Sequence, residues 1–166
     1  EVLDLSKVEA GKIEIEPTDL VLAELEEFLE RSFRPVAQQR GLGFVIRHDD
    51  KLPASMRTDP HRLQQILRNL LANAFKFTEH GEVTLRIYKA TGMRFATATL
   101  TQAPMVIGFA IRDTGIGIPK DKQQLIFEAF QQADGTTSRK YGGTGLGLSI
   151  SRELTRLLGG EIRVES

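Results

Sequence analysis

The stretch DPHRLQQILRNLLANAFKFT, residues 59–78, constrains this chain more than any other. Asp59 followed by Pro60 is a strong helix start: a capping carboxylate, then proline at the first helical position. At about 100° per residue, Leu63, Ile66, Leu67, Leu70, Ala74 and Phe77 share one face. Arg62, Gln65, Asn69, Asn73 and Lys76 form a narrow stripe beside it. The apolar face requires a second layer to pack on. Taken alone, the stripe reads as the solvated side of an amphipathic helix. Two asparagines at i, i+4 are nevertheless unfavourable by propensity. Their amide oxygens suit a hard cation such as Mg²⁺, which keeps waters and substrate phosphates in its shell, and Lys76 lies one turn on.

The neighbouring segments supply that layer. Residues 1–9 carry Val2, Leu5 and Val8 at helical spacing and read as the last turns of a helix ended by Gly11. Residues 12–16, KIEIE, alternate as a strand. Thr18 to Arg40 reads as a long helix, bent or broken at Pro35, with Gly41 as its stop. Residues 43–48 and 52–56 read as strands around the turn Asp49-Asp50-Lys51, and 83–87 and 106–111 as two more. A short helical piece is predicted at about 123–131, a helix at 144–158 and a strand at 161–165. Residues 90–104 look like an insertion and carry no assigned role. Strands cluster between helices without regular alternation, which favours an α+β two-layer sandwich over a doubly wound sheet.

The length of 166 residues suits one domain. Lys plus Arg and Asp plus Glu both number 22, a balance that argues against a dedicated nucleic-acid binder. With no cysteine, disulfides and thiolate zinc sites are excluded. His48, His61 and His80 are too dispersed to read as a metal cluster. The longest apolar run, 103–111, contains a proline and is too short to span a bilayer. The chain starts at Glu1 without a leader and reads as a piece of something longer.

Two glycine-rich turns complete the pattern. Arg112-Asp113-Thr114-Gly115-Ile116-Gly117-Ile118-Pro119 follows a strand; its glycines permit close approach to a ligand, and the Asp113 carboxylate suits a donor such as an exocyclic amine. In isolation a β-turn with a capping aspartate is the favoured reading of it. Further on, four of residues 142–147 in KYGGTGLGLSIS are glycine, just where a helix opens. Backbone N–H groups and the dipole at a helix start favour phosphate. The spacing matches neither a P-loop nor G-x-G-x-x-G. Between the two turns, Phe127 and Phe130 read as anchors for the polar, apolar-poor segment 131–143, which is expected to move and to be ordered by ligand.

In this order, NLLANAFKFT, DTGIGIP, FEAFQQ and GGTGLGL resemble the N, G1, F and G2 boxes of the ATP-binding catalytic domain of sensor histidine kinases, within the ATPase group that includes gyrase and MutL. The resemblance covers essentially the whole chain. It implies a Bergerat fold: a mixed, mostly antiparallel sheet covered on one face by about three helices, with a flexible ATP lid. Residues 1–11 would be the end of a dimerisation helix and linker, and 12–166 the catalytic domain lacking its last strand, with a weakened edge. Asn73 would ligate Mg²⁺, with Asn69 supporting metal or phosphates, and Lys76 would contact phosphate. Phe77 would pack near adenine. Asp113 would accept from the adenine amino group in a pocket shaped by Gly115, Ile116, Gly117 and Ile118. Arg139, or Lys140 in its place, would reach the γ-phosphate. Gly143, Thr144, Gly145, Leu146, Gly147 and Leu148 would form the lid hinge and phosphate-facing helix start.

The implied reaction is transfer of the ATP γ-phosphoryl group to a histidine on a separate dimerisation domain, with ATP and Mg²⁺ as cofactors. A response-regulator receiver domain would follow downstream, and the full-length kinase would be a homodimer. The implied location is the cytoplasm, with a parent free to be anchored in the inner membrane. No acceptor box surrounds any histidine here, so the domain is expected to do little alone. Related water-activating ATPases carry glutamate where Asn69 stands, and an amide cannot act as base, so intrinsic ATPase activity should be weak. Two alternatives stay open: a degenerate regulatory or scaffolding module, and a serine kinase of the anti-sigma-factor type on the same fold.

Overall fold

The computed structural model describes residues 14–90, 95, 98–114 and 146–162. In chain order these form β1 (Thr18–Val21), α1 (Leu22–Arg40), β2 (Gly43–His48), β3 (Ser55–Thr58), α2 (Pro60–Phe77), β4 (Glu82–Lys89), α3 (Ala98–Gln102), β5 (Ile107–Asp113) and α4 (Leu146–Leu157). Strands β2, β4 and β5 form one sheet in that order, β2–β4 parallel and β4–β5 antiparallel. Strands β1 and β3 form a separate antiparallel pair. The α+β class and the mixed, mostly antiparallel pairing expected from the sequence are both present.

Alternation along β4 explains the layering. Val83, Leu85 and Ile87 are fully buried, whereas Glu82 and Arg86 are exposed. The inner residues join Phe44 of β2, the α1 residues Leu25, Leu29 and Phe33, and the α2 residues Leu63, Leu67, Leu71 and Phe75 in one core. Phe75 lies at its centre, stacked on Phe33 at 5.7 Å between centroids and edge-on to Phe44 at 5.4 Å. Such pairs add about 0.5–1.5 kcal/mol each beyond burial. On the outer face, Tyr88 lies across Gly108, its partner in the β4–β5 register.

Several boundaries differ from the sequence reading. The expected strand over 12–16 is absent at 14–16; 12 and 13 lie outside the described residues. Thr18–Val21, read as helix, is β1, because pairing with β3 and burial of Leu20 override local propensity. The helix therefore starts at Leu22. It continues through Pro35, which is exposed, and ends at Gly41 in the left-handed conformation with φ 67°. The strand expected at 52–56 is shifted to 55–58, beyond Pro53, and pairs with β1 instead of β2. The buried face of α2 is rotated: Leu71 and Phe75 are core, and Leu70 and Phe77 are only half-buried. Within 90–104 a short helix, α3, forms. The strand expected over 161–165 is not formed at 161–162, and 163–165 lie outside the described residues.

Candidate functional site

Helix α2 begins as its sequence predicts. Asp59 is the N-cap, its side chain accepting from the backbone N–H groups of His61 and Arg62, with Pro60 next. The carboxylate also accepts from the Glu16 N–H at 3.0 Å. Burial pushes the Asp59 carboxyl up, but these three N–H donors and the nearby Arg62 guanidinium outweigh it, leaving the group below its ordinary range. At the other end, Thr78 turns out of the helix, its hydroxyl donating to the Ala74 carbonyl at 2.7 Å. Arg40, the last residue of α1, donates to the Thr78 carbonyl at 3.2 Å. Both ends of α2 are thus tied to other elements.

Asn69, Asn73, Lys76 and Phe77 are all half-buried on this helix, neither core nor free surface. The Lys76 ammonium lies 5.9 Å from the centroid of the Phe77 ring. Asn69 Nδ2 donates to Ser151 Oγ of α4 at 3.5 Å, and α2 packs against α4. The first turn of α4, with Leu146, Gly147 and Leu148, starts about five residues from that contact, or ~7.5 Å along the axis.

Asp113 closes β5, exposed and opposite Val83. The next residue, Thr114, donates its hydroxyl to the His80 carbonyl at 2.8 Å. His80 lies three residues beyond Phe77, and Gly81 turns there with φ 105°. A Cβ at Gly81 would stand 2.1 Å from Thr114 Oγ1, so glycine is required for this approach. The bond stitches the end of β5, where Asp113 stands, to the loop three residues beyond the end of α2. The Thr114–His80 bond, Ser151 and the Glu16 bond to Asp59 were not foreseen from the sequence. A threonine directly after Asp113, and a serine three residues before Leu154, were the available signals.

Gly115, Ile116, Gly117, Ile118, Phe127, Phe130, Arg139, Gly143, Thr144 and Gly145 lie outside the described residues. Among the described residues, no group of three or more His, Asp or Glu side chains could hold a metal ion. The amide oxygens of α2 fit a hard cation that arrives with most of its shell supplied by phosphate and water. No described helix is long and apolar enough to cross a membrane.

Fold and site together define an ATPase-type nucleotide-binding domain. Residues 58–166 match the family model described as histidine kinase-, DNA gyrase B-, and HSP90-like ATPase, and the chain belongs to that family. It is 41% identical over 162 residues to the sensory/regulatory protein RpfC of Xanthomonas campestris pv. campestris, covering 98% of this chain and 21% of that protein. It is 40% identical over 170 residues to the signal transduction histidine-protein kinase BarA of Escherichia coli K12, covering 100% of this chain and 17% of that one. The crystal structure of full-length ShkA in complex with AMPPNP superposes with a TM-score of 0.76 at 32% identity, covering 95% of this chain and 30% of ShkA. The chain thus spans about a fifth of the curated relatives it matches.

Proposed function

We propose that this domain binds ATP with Mg²⁺ and presents the γ-phosphoryl group to a histidine on the dimerisation domain of the same kinase. The observation carrying this reading is the Thr114–His80 bond, which ties the residue after Asp113 to the loop just beyond α2, the helix that bears Asn69, Asn73 and Lys76. Asp113 then accepts from the adenine amino group, Phe77 packs beside the base, and Lys76 neutralises phosphate charge. Mg²⁺, held by Asn73 with Asn69 nearby, would offset the charge on the phosphates. The helix start at Leu146–Leu148 adds backbone donors and dipole. Gly115, Ile116, Gly117 and Ile118 shape the adenine pocket. Arg139, with Gly143, Thr144 and Gly145, belongs to the lid, anchored by Phe127 and Phe130. Phosphoryl transfer of this kind rests on positioning and charge neutralisation, and the attacking imidazole comes from outside this domain. The nucleotide in the ShkA complex supports a ligand of this class. BarA, a signal transduction histidine-protein kinase, supports the histidine-kinase reading; the homodimer and the downstream receiver domain are part of the proposal.

The test is to mix the domain with a histidine-containing dimerisation domain and γ-labelled ATP. Acid-labile label on the acceptor is expected. Acid-stable label would indicate the serine-kinase alternative, and nucleotide binding without transfer a regulatory module.

A further inference from the structure

We infer that Asp59 is a positioning residue that couples the chain leading into the domain to the helix carrying the nucleotide stripe. This rests on the function proposed above and concerns how that site is held. The two carboxylate oxygens serve two different elements. Oδ1 accepts from the backbone N–H groups of His61 at 3.0 Å and Arg62 at 3.2 Å, at the start of α2. Oδ2 accepts from the N–H of Glu16, 43 residues earlier in the chain, at 3.0 Å. Asp59 is only 4% exposed, so water does not readily replace either contact. Capping alone would be satisfied by serine or asparagine. Holding Glu16 as well needs a second acceptor oxygen, which a carboxylate has and an amide lacks.

The surroundings make this junction stiff. Two residues after Glu16, Thr18 starts β1 and pairs with Thr58, the residue before Asp59. Beyond Asp59, α2 runs unbroken from Pro60 to Phe77 with Asn69, Asn73 and Lys76 along it. A shift of the backbone at Glu16 therefore reaches the stripe through the Asp59 carboxylate, beside the β1–β3 pairing, and then along one helix. By reciprocity, nucleotide bound at the stripe should restrain Glu16.

Asp59→Asn separates the two roles, since asparagine still caps α2 but offers Glu16 a donor where an acceptor is needed. The full chain is titrated with Mg·AMPPNP by calorimetry and followed by hydrogen exchange. In the wild type, nucleotide should slow exchange at residues 14–16 by about fivefold or more. In Asp59→Asn that slowing should vanish and, by the same linkage, Kd should rise by up to the same factor of about five. Asp59→Ser, which also caps but has one acceptor oxygen, provides the same comparison should the asparagine variant fold poorly. Slowing that persists in the variants overturns the inference. So does a loss of nucleotide affinity well beyond that factor and in step with a lower Tm, which is what a purely structural role gives. Wild type that binds nucleotide without slowing at 14–16 overturns this inference alone. Wild type that does not bind overturns the functional reading and this inference with it.

Discussion

The Asn69 amide on α2 reaches the hydroxyl of Ser151 on α4 at 3.5 Å, across a contact where Ser151 is completely buried. A residue of the polar stripe thereby helps set the helix that opens from the glycine-rich turn. Ser151→Ala removes the hydroxyl and little volume. The distance is at the long limit for a hydrogen bond, so the expected loss is about 0.5–1.5 kcal/mol. Urea unfolding measures it. Asn69→Ala combined with Ser151→Ala should be less destabilising than the sum of the two single changes, as contacting residues are not independent.

Asp59 gives the domain an acid-sensitive joint. Its carboxyl is held below the ordinary value of about 3.9. A depressed carboxyl contributes stability above the unfolded value, and this is lost as pH falls through the folded one. Asp59→Asn should therefore be less stable than wild type near pH 7, by about 1.5–3 kcal/mol for the lost charged hydrogen bond. The gap should narrow below about pH 4. Denaturation curves over that range check the sign; a gap that widens in acid would contradict it.

The two phenylalanines that end α2 should behave oppositely. Phe75 is 1% exposed and sits between Phe33 and Phe44. Phe75→Ala should cost about 3–5 kcal/mol of stability. Phe77 is half-buried and outside the core. Phe77→Ala should cost about 1 kcal/mol or less in unfolding and act chiefly on nucleotide affinity. Thermal unfolding beside calorimetric titration separates the two effects.

That contrast shows where the sequence was legible. The start of α2 was readable because Asp59 and Pro60 act locally. The stripe was readable because helical period alone places Asn69, Asn73 and Lys76 together. Which side faces the core was not, since Leu71 and Phe75 are chosen by Phe33 and Phe44, contacts 42 and 31 residues away in the chain. Likewise, among the described residues β1 pairs with β3 alone, and Thr18–Val21 carries too little local signal to reveal it. The acidic turn at Asp113 was visible as a motif, whereas the Thr114–His80 bond that positions it depends on β4–β5 pairing.

Gly108 offers a test of the sheet's outer face. A Cβ there would lie 2.4 Å from Tyr88 Cζ, closer than any real contact. Alanine in a strand is ordinarily better than glycine, but here the ring must move off. Gly108→Ala is expected to destabilise by about 1–3 kcal/mol. Adding Tyr88→Ala removes the obstruction, so the double variant should lose less than the two single losses combined. A double-mutant cycle with additive losses would show that Tyr88 does not restrict this position.

On the proposed reading Asp113 and Lys76 would address opposite ends of the nucleotide, and this gives the sharpest check on its orientation. Asp113, exposed at the end of β5, would address the base. Removing it by Asp113→Ala should weaken binding by about 1.5–3 kcal/mol, the worth of a hydrogen bond to a charged group. Since the adenine is common to all adenine nucleotides, the loss should be the same for AMP, ADP and AMPPNP. Lys76, beside Phe77 on α2, would address phosphate. Lys76→Ala should spare AMP and weaken AMPPNP most, and its effect should shrink as salt is raised. Calorimetric titration of the three nucleotides at two salt concentrations distinguishes these patterns. If Asp113→Ala discriminates by phosphate number and Lys76→Ala does not, the nucleotide lies the other way round.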